Sequence, residues 1–253
     1  MSGPFDLSGR RAVVTGASRG IGLAIADALA AAGADVDAVG TSLRPGDSEV
    51  ERRVTAHGRR CTVHACDFAD RGAVLALGEE LVAAGPVDVL VNNAGTIRRA
   101  PAAEHPLADW DAVLQVDLSS QFALTQVLAR PMLERGSGRI VFTASLLSFQ
   151  GGVNVPGYAA AKSGVAGLTR ALANEWAPRG VNVNAIAPGY VATDNTQALR
   201  DDPARAAQLL DRIPAGRWGR AEDVGGAAVF LASPAADYVH GVVLPVDGGW
   251  LAR

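Results

Sequence analysis

Residues Arg11–Gly22 read R-A-V-V-T-G-A-S-R-G-I-G. The first five, Arg11 to Thr15, form a short apolar run that stops at Gly16, and an alanine-rich helical pattern follows from about Ile21 to Ala32. A strand, a glycine turn and a helix in that order set backbone N–H groups and the positive end of the helix against a pyrophosphate. Gly16, Gly20 and Gly22 are the pivots of a G-x-x-x-G-x-G turn. This turn is the candidate dinucleotide cradle.

Outward from it, the same alternation recurs. A second apolar run, A-D-V-D-A-V-G, ends at Gly40-Thr41-Ser42, where an acidic residue would grip the adenosine ribose of NAD, and none is present. Arg19 in the glycine turn and Arg44 further on offer positive charge for a 2′-phosphate instead, so NAD and NADP both stay open. A third strand, R-C-T-V-H-A-C, delivers Asp67-Phe68, and a fourth, V-D-V-L-V, runs into Asn92-Asn93-Ala94-Gly95. A long helical pattern spans about Leu107 to Met132, and the strand R-I-V-F-T-A-S ends at Ser145. A helix follows with an apolar stripe at Val165, Leu168 and Leu172, then the strand V-N-V-N-A-I runs into Ala187-Pro188-Gly189. Strands alternating with helices imply right-handed crossovers, hence an α/β, doubly wound parallel sheet with ligands at the carboxyl ends of its strands. Tyr190 to Arg217 is polar and interrupted, which predicts a mobile lid over the substrate. The terminal Trp250-Leu251 follows a last strand and a glycine turn, and predicts packing on a neighbouring subunit.

Chemistry concentrates between Ser145 and Lys162. Tyr158 and Lys162 are four apart, so a helix opening at Gly157 sends both side chains off one face, one turn apart. A free tyrosine titrates near ~10 and needs a drop of roughly 3 units to act as a base near neutrality, and a nearby ammonium supplies a shift of that sign. Among the 23 Lys and Arg residues a single one is lysine, Lys162, which points to a position that requires a compact ammonium on a flexible stem. Ser145, thirteen residues before Tyr158, is placed to aim a hydroxyl at a carbonyl oxygen. The three make a site for reducing a carbonyl or oxidising an alcohol.

Composition bounds the rest. The 253 residues show no linker or charge run that divides them, so one domain covering 1–253 is expected. Apolar residues at 49% suffice for a large core, and a formal net charge of −3 with scattered arginines argues against a nucleic-acid surface. Cys61 and Cys66 read as buried thiols in a reducing compartment, and His57, His64, His105 and His240 fall in no metal-binding pattern. No run approaches the ~20 apolar residues of a membrane span, and the amino-terminal stretch has no apolar signal core. A soluble, cytoplasmic protein is expected.

With the glycine turn after Thr15, Asn92-Asn93-Ala94-Gly95, Ser145, Tyr158-x-x-x-Lys162 and Pro188-Gly189 in order, essentially the whole chain resembles the short-chain dehydrogenase/reductase family. The resemblance implies a seven-stranded fold, hydride transfer at a nicotinamide, and usually a homotetramer. It makes Tyr158 the acid/base, has Ser145 polarise the substrate oxygen, and has Lys162 hold the nicotinamide ribose while favouring the phenolate. Cofactor contacts fall on Gly16, Ser18, Arg19, Gly20, Ile21 and Gly22, on Asp67 and Phe68 at the adenine, and on Asn93, Ala94 and Gly95. Pro188, Gly189, Val191 and Thr193 complete the cofactor surface, with Thr193 on the carboxamide side. The family generally carries an asparagine on the long helix, feeding a water-borne proton relay to the lysine, where this sequence has Asp117. An ionised aspartate accepts from the same water without donating and favours a protonated lysine, so the relay is expected to survive in altered form.

Within the family, Asn92–Arg99, Leu147–Gly152, Ala187–Thr196, Ile213–Gly219 and the ending D-G-G-W-L-A-R resemble members that act on hexonate-like sugar acids, usually with NAD. Arg98, Arg99 and Arg217 are the candidates for the acid group, with Gln150, Asn154 and Tyr190 for hydroxyls. Two other readings remain: an NADPH-linked reductase of 3-oxoacyl carrier-protein thioesters, and a dinucleotide-binding protein without turnover.

Overall fold

A computed structural model of the chain describes residues 3–253. Seven strands, β1 (Arg11–Thr15), β2 (Asp35–Gly40), β3 (Cys61–Ala65), β4 (Val89–Asn92), β5 (Gly138–Thr143), β6 (Val181–Pro188) and β7 (Val243–Val246), form one parallel sheet in the order 3-2-1-4-5-6-7. The order reverses between β1 and β4, which leaves a crevice beyond their carboxyl ends. The sheet is covered on both faces. Helices α1 (Gly20–Ala31) and α2 (Glu49–Ala56) lie on one side, α3 (Arg71–Ala83), α4 (Leu107–Leu114), α5 (Ser120–Arg135) and α6 (Pro156–Trp176) on the other. After β6 come α7 (Gln197–Arg200), α8 (Pro203–Arg212) and α9 (Glu222–Ala232), of which α9 packs against α1.

The two cores follow from the period of two along each strand. In β1, Val13 turns to the core shared with α3, α5 and α6, while Ala12 and Val14 turn to the core shared with α1 and α9. All eight residues of β6 are buried, as expected for a strand with helices on both faces. Helix starts are set locally: Ser48, Asp70 and Asp202 each accept a backbone N–H in the first turn of α2, α3 and α8.

Three features depart from the sequence reading. The stretch from Leu107 is not one regular helix: between α4 and α5, Gln115–Ser119 form a turn of π-helix, in which the Ser120 N–H bonds to the Gln115 carbonyl. Strand β5 stops at Thr143, so Ser145 stands in extended backbone two residues beyond it. Trp250 is 3% exposed within its own chain, not left for a neighbour, because Leu146, Leu209 and Ile213 build an apolar pocket for it. The segment expected as a lid holds α7 and α8, with Leu209 as the buried residue of α8.

Candidate active site

The glycine turn is tight enough to exclude side chains. Gly16 has φ +66°, and a Cβ there would come within 2.9 Å of the Ala94 backbone; at Gly22 it would lie 2.2 Å from the Gly16 carbonyl oxygen. Helix α1 can therefore start close behind β1, with the N–H groups of its first turn free for a ligand. Asn93 ties this turn to the sheet. Its Nδ2 donates to the Thr15 and Gly16 carbonyls at 3.0 and 3.3 Å, and its Oδ1 accepts from Thr143 Oγ1 at 3.3 Å. The Thr15 hydroxyl accepts the N–H groups of Asn93 and Ala94 at 2.9 and 3.0 Å. The two motifs at the ends of β1 and β4 are thus one hydrogen-bonded unit.

The same unit reaches the lysine. Lys162 is 3% exposed, its Nζ donates to the Thr143 carbonyl at 2.9 Å and stands 3.4 Å from Asp117 Oδ2. It lies 5.5 Å from the centre of the Tyr158 ring, one helical turn away on α6, which opens at Pro156. Asp117, fully buried in the π turn, accepts the Thr96 N–H on Oδ1 at 2.7 Å. Burial pushes its carboxyl above the ordinary value, with Lys162 and the Thr96 N–H pulling the other way.

Ser145 is held by its own turn. Its Oγ accepts the Leu147 N–H and its N–H bonds to Ser148 Oγ, both at 3.2 Å, while the Ser148 hydroxyl donates to the Lys162 carbonyl at 2.6 Å. Ser148 therefore couples the Ser145 turn to α6. Sequence reading gave no role to Ser148, Thr143 or Thr96, and the reciprocal cap formed by Ser145 and Ser148 lacks the Glu or Gln that marks a capping box in a sequence.

At the periphery the sequence candidates divide. Ser18 and Ile21 are half-buried around the turn, Asp67 is exposed, and the Phe68 side chain is in the core, so it offers a ligand only backbone. Pro188 and Gly189 end β6, Val191 is buried against Gly219, and Thr193 caps a short turn next to Gly20. Arg19 is exposed and 2.9 Å from Asp194. Arg98 stands 3.6 Å from Asp109, Arg99 donates to the Asn195 carbonyl at 3.0 Å, and Arg217 makes bonds of 2.6 and 3.2 Å to Asp223. Arg217 lines a cavity of about 170 Å³ with Gly189, Tyr190 and Asp247. Asn154 is exposed at φ +62°, its carbonyl accepting from Ala100. Gln150 accepts from Trp250 Nε1 at 3.3 Å. Among the described residues no group of His, Cys, Asp and Glu is placed to hold a metal ion.

A parallel sheet with a side-chain-free cradle at its switch point, beside a buried lysine, a tyrosine and a serine, defines a dinucleotide-dependent oxidoreductase. A family profile described as enoyl-(acyl carrier protein) reductase matches residues 16–251, and the chain belongs to the short-chain dehydrogenase/reductase family. It is 57% identical, over 98% of both chains, to the 2-dehydro-3-deoxy-D-gluconate 5-dehydrogenase of Pseudoalteromonas atlantica. A crystal structure from Beutenbergia cavernae, provisionally an NAD(P)-dependent gluconate 5-dehydrogenase with NADP at low occupancy, matches with a TM-score of 0.96 and 57% identity over 99% of this chain and 100% of that one. A gluconate 5-dehydrogenase of Burkholderia cenocepacia in complex with NADP and tartrate matches with a TM-score of 0.93 and 40% identity, covering 99% and 98%.

Proposed function

We propose that the protein interconverts a secondary alcohol and a ketone on a hexonate-like sugar acid, such as 2-dehydro-3-deoxy-D-gluconate or 2-deoxy-D-gluconate. The observation that carries the chemistry is the buried Lys162, anchored on Thr143 one turn from Tyr158, beside the crevice of the glycine turn. The substrate class rests on the full-length likeness to sugar-acid dehydrogenases.

The turn suits a dinucleotide, since Cβ atoms at Gly16 and Gly22 would collide with Ala94 and with the Gly16 carbonyl and push the start of α1 away from the end of β1, where its N–H groups would meet the phosphates. When bound, a nicotinamide dinucleotide supplies the two-electron hydride acceptor or donor. Tyr158 takes the hydroxyl proton during oxidation and returns it during reduction. Ser145 orients the same oxygen, its own hydroxyl already held by the Leu147 N–H. Lys162 places a positive charge 5.5 Å from the centre of the Tyr158 ring, and Asp117 holds that ammonium in place. Gln150, Asn154 and Tyr190 are the groups for substrate hydroxyls.

Of the two dinucleotides left open by the sequence, the reading takes NADP over the NAD that resemblance alone suggests. Strand β2 ends at Gly40 with no carboxylate in Gly40-Thr41-Ser42, Ser18 packs on Gly40 with exposed Arg19 next in the chain, and the two related structures contain NADP. The reading includes a lid over residues 190–217 and a homotetramer, for which exposed Phe122 on α5 offers apolar surface. It also includes a cytoplasmic setting, supported by two free thiols that burial keeps protonated, Cys61 pushed up to about 12 and Cys66 to about 11. No helix among the described residues is long and apolar enough to cross a membrane.

The test is formation of reduced nicotinamide, followed by absorbance, with NAD and NADP separately against deoxygluconates, gluconate and their keto forms. Turnover that Tyr158→Phe abolishes is the expected result. Silence on every sugar acid with reduction of a 3-oxoacyl thioester would move the substrate and leave the catalytic roles intact.

A further inference from the structure

The arginines that the sequence offers for an acid group are engaged elsewhere: Arg217 by Asp223, Arg98 near Asp109, Arg99 on the Asn195 carbonyl. Two others on α8, Arg205 and Arg212, have no acidic partner among the described residues. The Arg205 guanidinium donates to the Gln208 amide oxygen at 3.2 Å. Arg212 is exposed, yet its guanidinium lies over the Trp250 ring, 4.0 Å from the centroid.

The platform beneath it is packed on several sides. Trp250 is 3% exposed, its Nε1 donates to Gln150 Oε1 at 3.3 Å, and Tyr190 packs on it with ring centres 4.7 Å apart. Tyr190 is braced from the side by Trp218 at 5.7 Å. Burial pushes the Tyr190 phenol up while Arg205 and Arg212 pull it down, so both cations lie close to that side chain. The cluster also borders the catalytic turn: Leu146, next to Ser145, shares the Trp250 pocket, and Tyr190 directly follows Pro188-Gly189.

A guanidinium stacked on an aromatic ring has its plane fixed and keeps its N–H fork free at the edge, the arrangement that binds a carboxylate through two parallel hydrogen bonds. We propose that Arg212, stacked on Trp250 and assisted by Arg205, binds the carboxylate of the substrate and draws α8 over the site. The proposal rests on the sugar-acid reading above and adds to it a specificity device: a neutral polyol lacks the group that engages α8.

The experiment compares gluconate with its neutral amide, which keeps every hydroxyl, as substrates of the whole enzyme. Arg212→Ala should raise KM for the acid by about 10- to 100-fold, the range of a hydrogen bond to a charged group, and leave the amide within about threefold. Arg212→Lys, which keeps the charge without the fork, should recover only part of the preference. Arg205→Ala should shift the same ratio by less. Equal effects on acid and amide, or none on either, would overturn the proposal while sugar-acid turnover by the unmodified enzyme upheld the substrate reading. Absence of turnover on both compounds and on every other sugar acid would overturn the two together.

Discussion

Replacing Asp117 by asparagine keeps the shape of the side chain and its acceptor for the Thr96 N–H, and removes the charge facing Lys162. Two effects of opposite sign then compete. At 3.4 Å and an effective dielectric of about 20, the attraction of carboxylate and ammonium is on the order of 5 kcal/mol. Removing a carboxylate from water costs several kcal/mol, and here burial is the larger effect, because it lifts Asp117 above the usual carboxylate range despite the adjacent ammonium. The variant should therefore unfold in urea within about 2 kcal/mol of the parent near neutral pH, short of the roughly 3–5 kcal/mol lost when removing one partner leaves a buried charge uncompensated, because Lys162 keeps the Thr143 carbonyl. Turnover should stay within about tenfold, a barrier change of about 1.4 kcal/mol.

The sign of the pH dependence provides a second check. A raised carboxyl pKa means that the folded chain holds a proton the unfolded chain has released. The stability owed to this group is present at low pH and declines as pH rises from the ordinary carboxylate range toward the folded-state value. Asparagine does not titrate, so urea unfolding at a series of pH values should show the parent losing stability relative to Asp117→Asn across that window, by at most about 1.4 kcal/mol per pH unit. A rise instead of a decline, or a thousandfold loss of turnover, would refute the reasoning and give the carboxylate an essential role.

Other expectations follow from the same geometry. His64 sits between Asp37 at 3.0 Å and Glu80 at 3.3 Å, and its hydrogen bond to Asp37 raises its pKa, so the stability it adds is full below about 6.5 and is lost as pH rises through the folded value. His64→Gln should flatten that part of the thermal-stability profile, and an unchanged profile would count against the pairing. Gly22→Ala puts a methyl group 2.2 Å from the Gly16 carbonyl, so cofactor affinity measured by calorimetry should fall by at least about 100-fold, roughly 2.7 kcal/mol. Arg19→Ala should weaken NADP by about tenfold and leave NAD within about twofold, since the ion pair it gives up with Asp194 is exposed and worth at most about 1 kcal/mol. Equal weakening of both nucleotides would place Arg19 away from the 2′-phosphate.

The sheet, the glycine turn and the placing of Tyr158 and Lys162 one turn apart on α6 were open to sequence reading because each rests on local pattern. The glycine spacing after Thr15, the four-residue step from Tyr158 to Lys162 and the Pro188-Gly189 stop are short-range signals that the fold preserves. What escaped depends on contacts across the sheet. Thr143 matters through its backbone carbonyl, which any residue would supply, so its type carries no signal for the Lys162 bond. Trp250 read as an exposed apolar tip because its pocket is assembled from Leu146, Leu209 and Ile213, far apart in the chain. The arginines Arg98, Arg99 and Arg217 attracted notice by their place near motifs, whereas the unpaired state of Arg212 is visible only once every carboxylate has a position.

The π turn between α4 and α5 acts as a register device. Each residue of an α-helix advances the face by about 100°, so a single surplus residue in Gln115–Ser119 rotates everything upstream relative to everything downstream. Deleting one residue there would restore regular winding and leave a helix one residue shorter, but Asp117 and the Ser120–Gln121 edge of α5 could no longer both face inward. The geometry around the lysine is in this sense counted in residues: its alignment depends on a helix carrying one more than its winding accommodates.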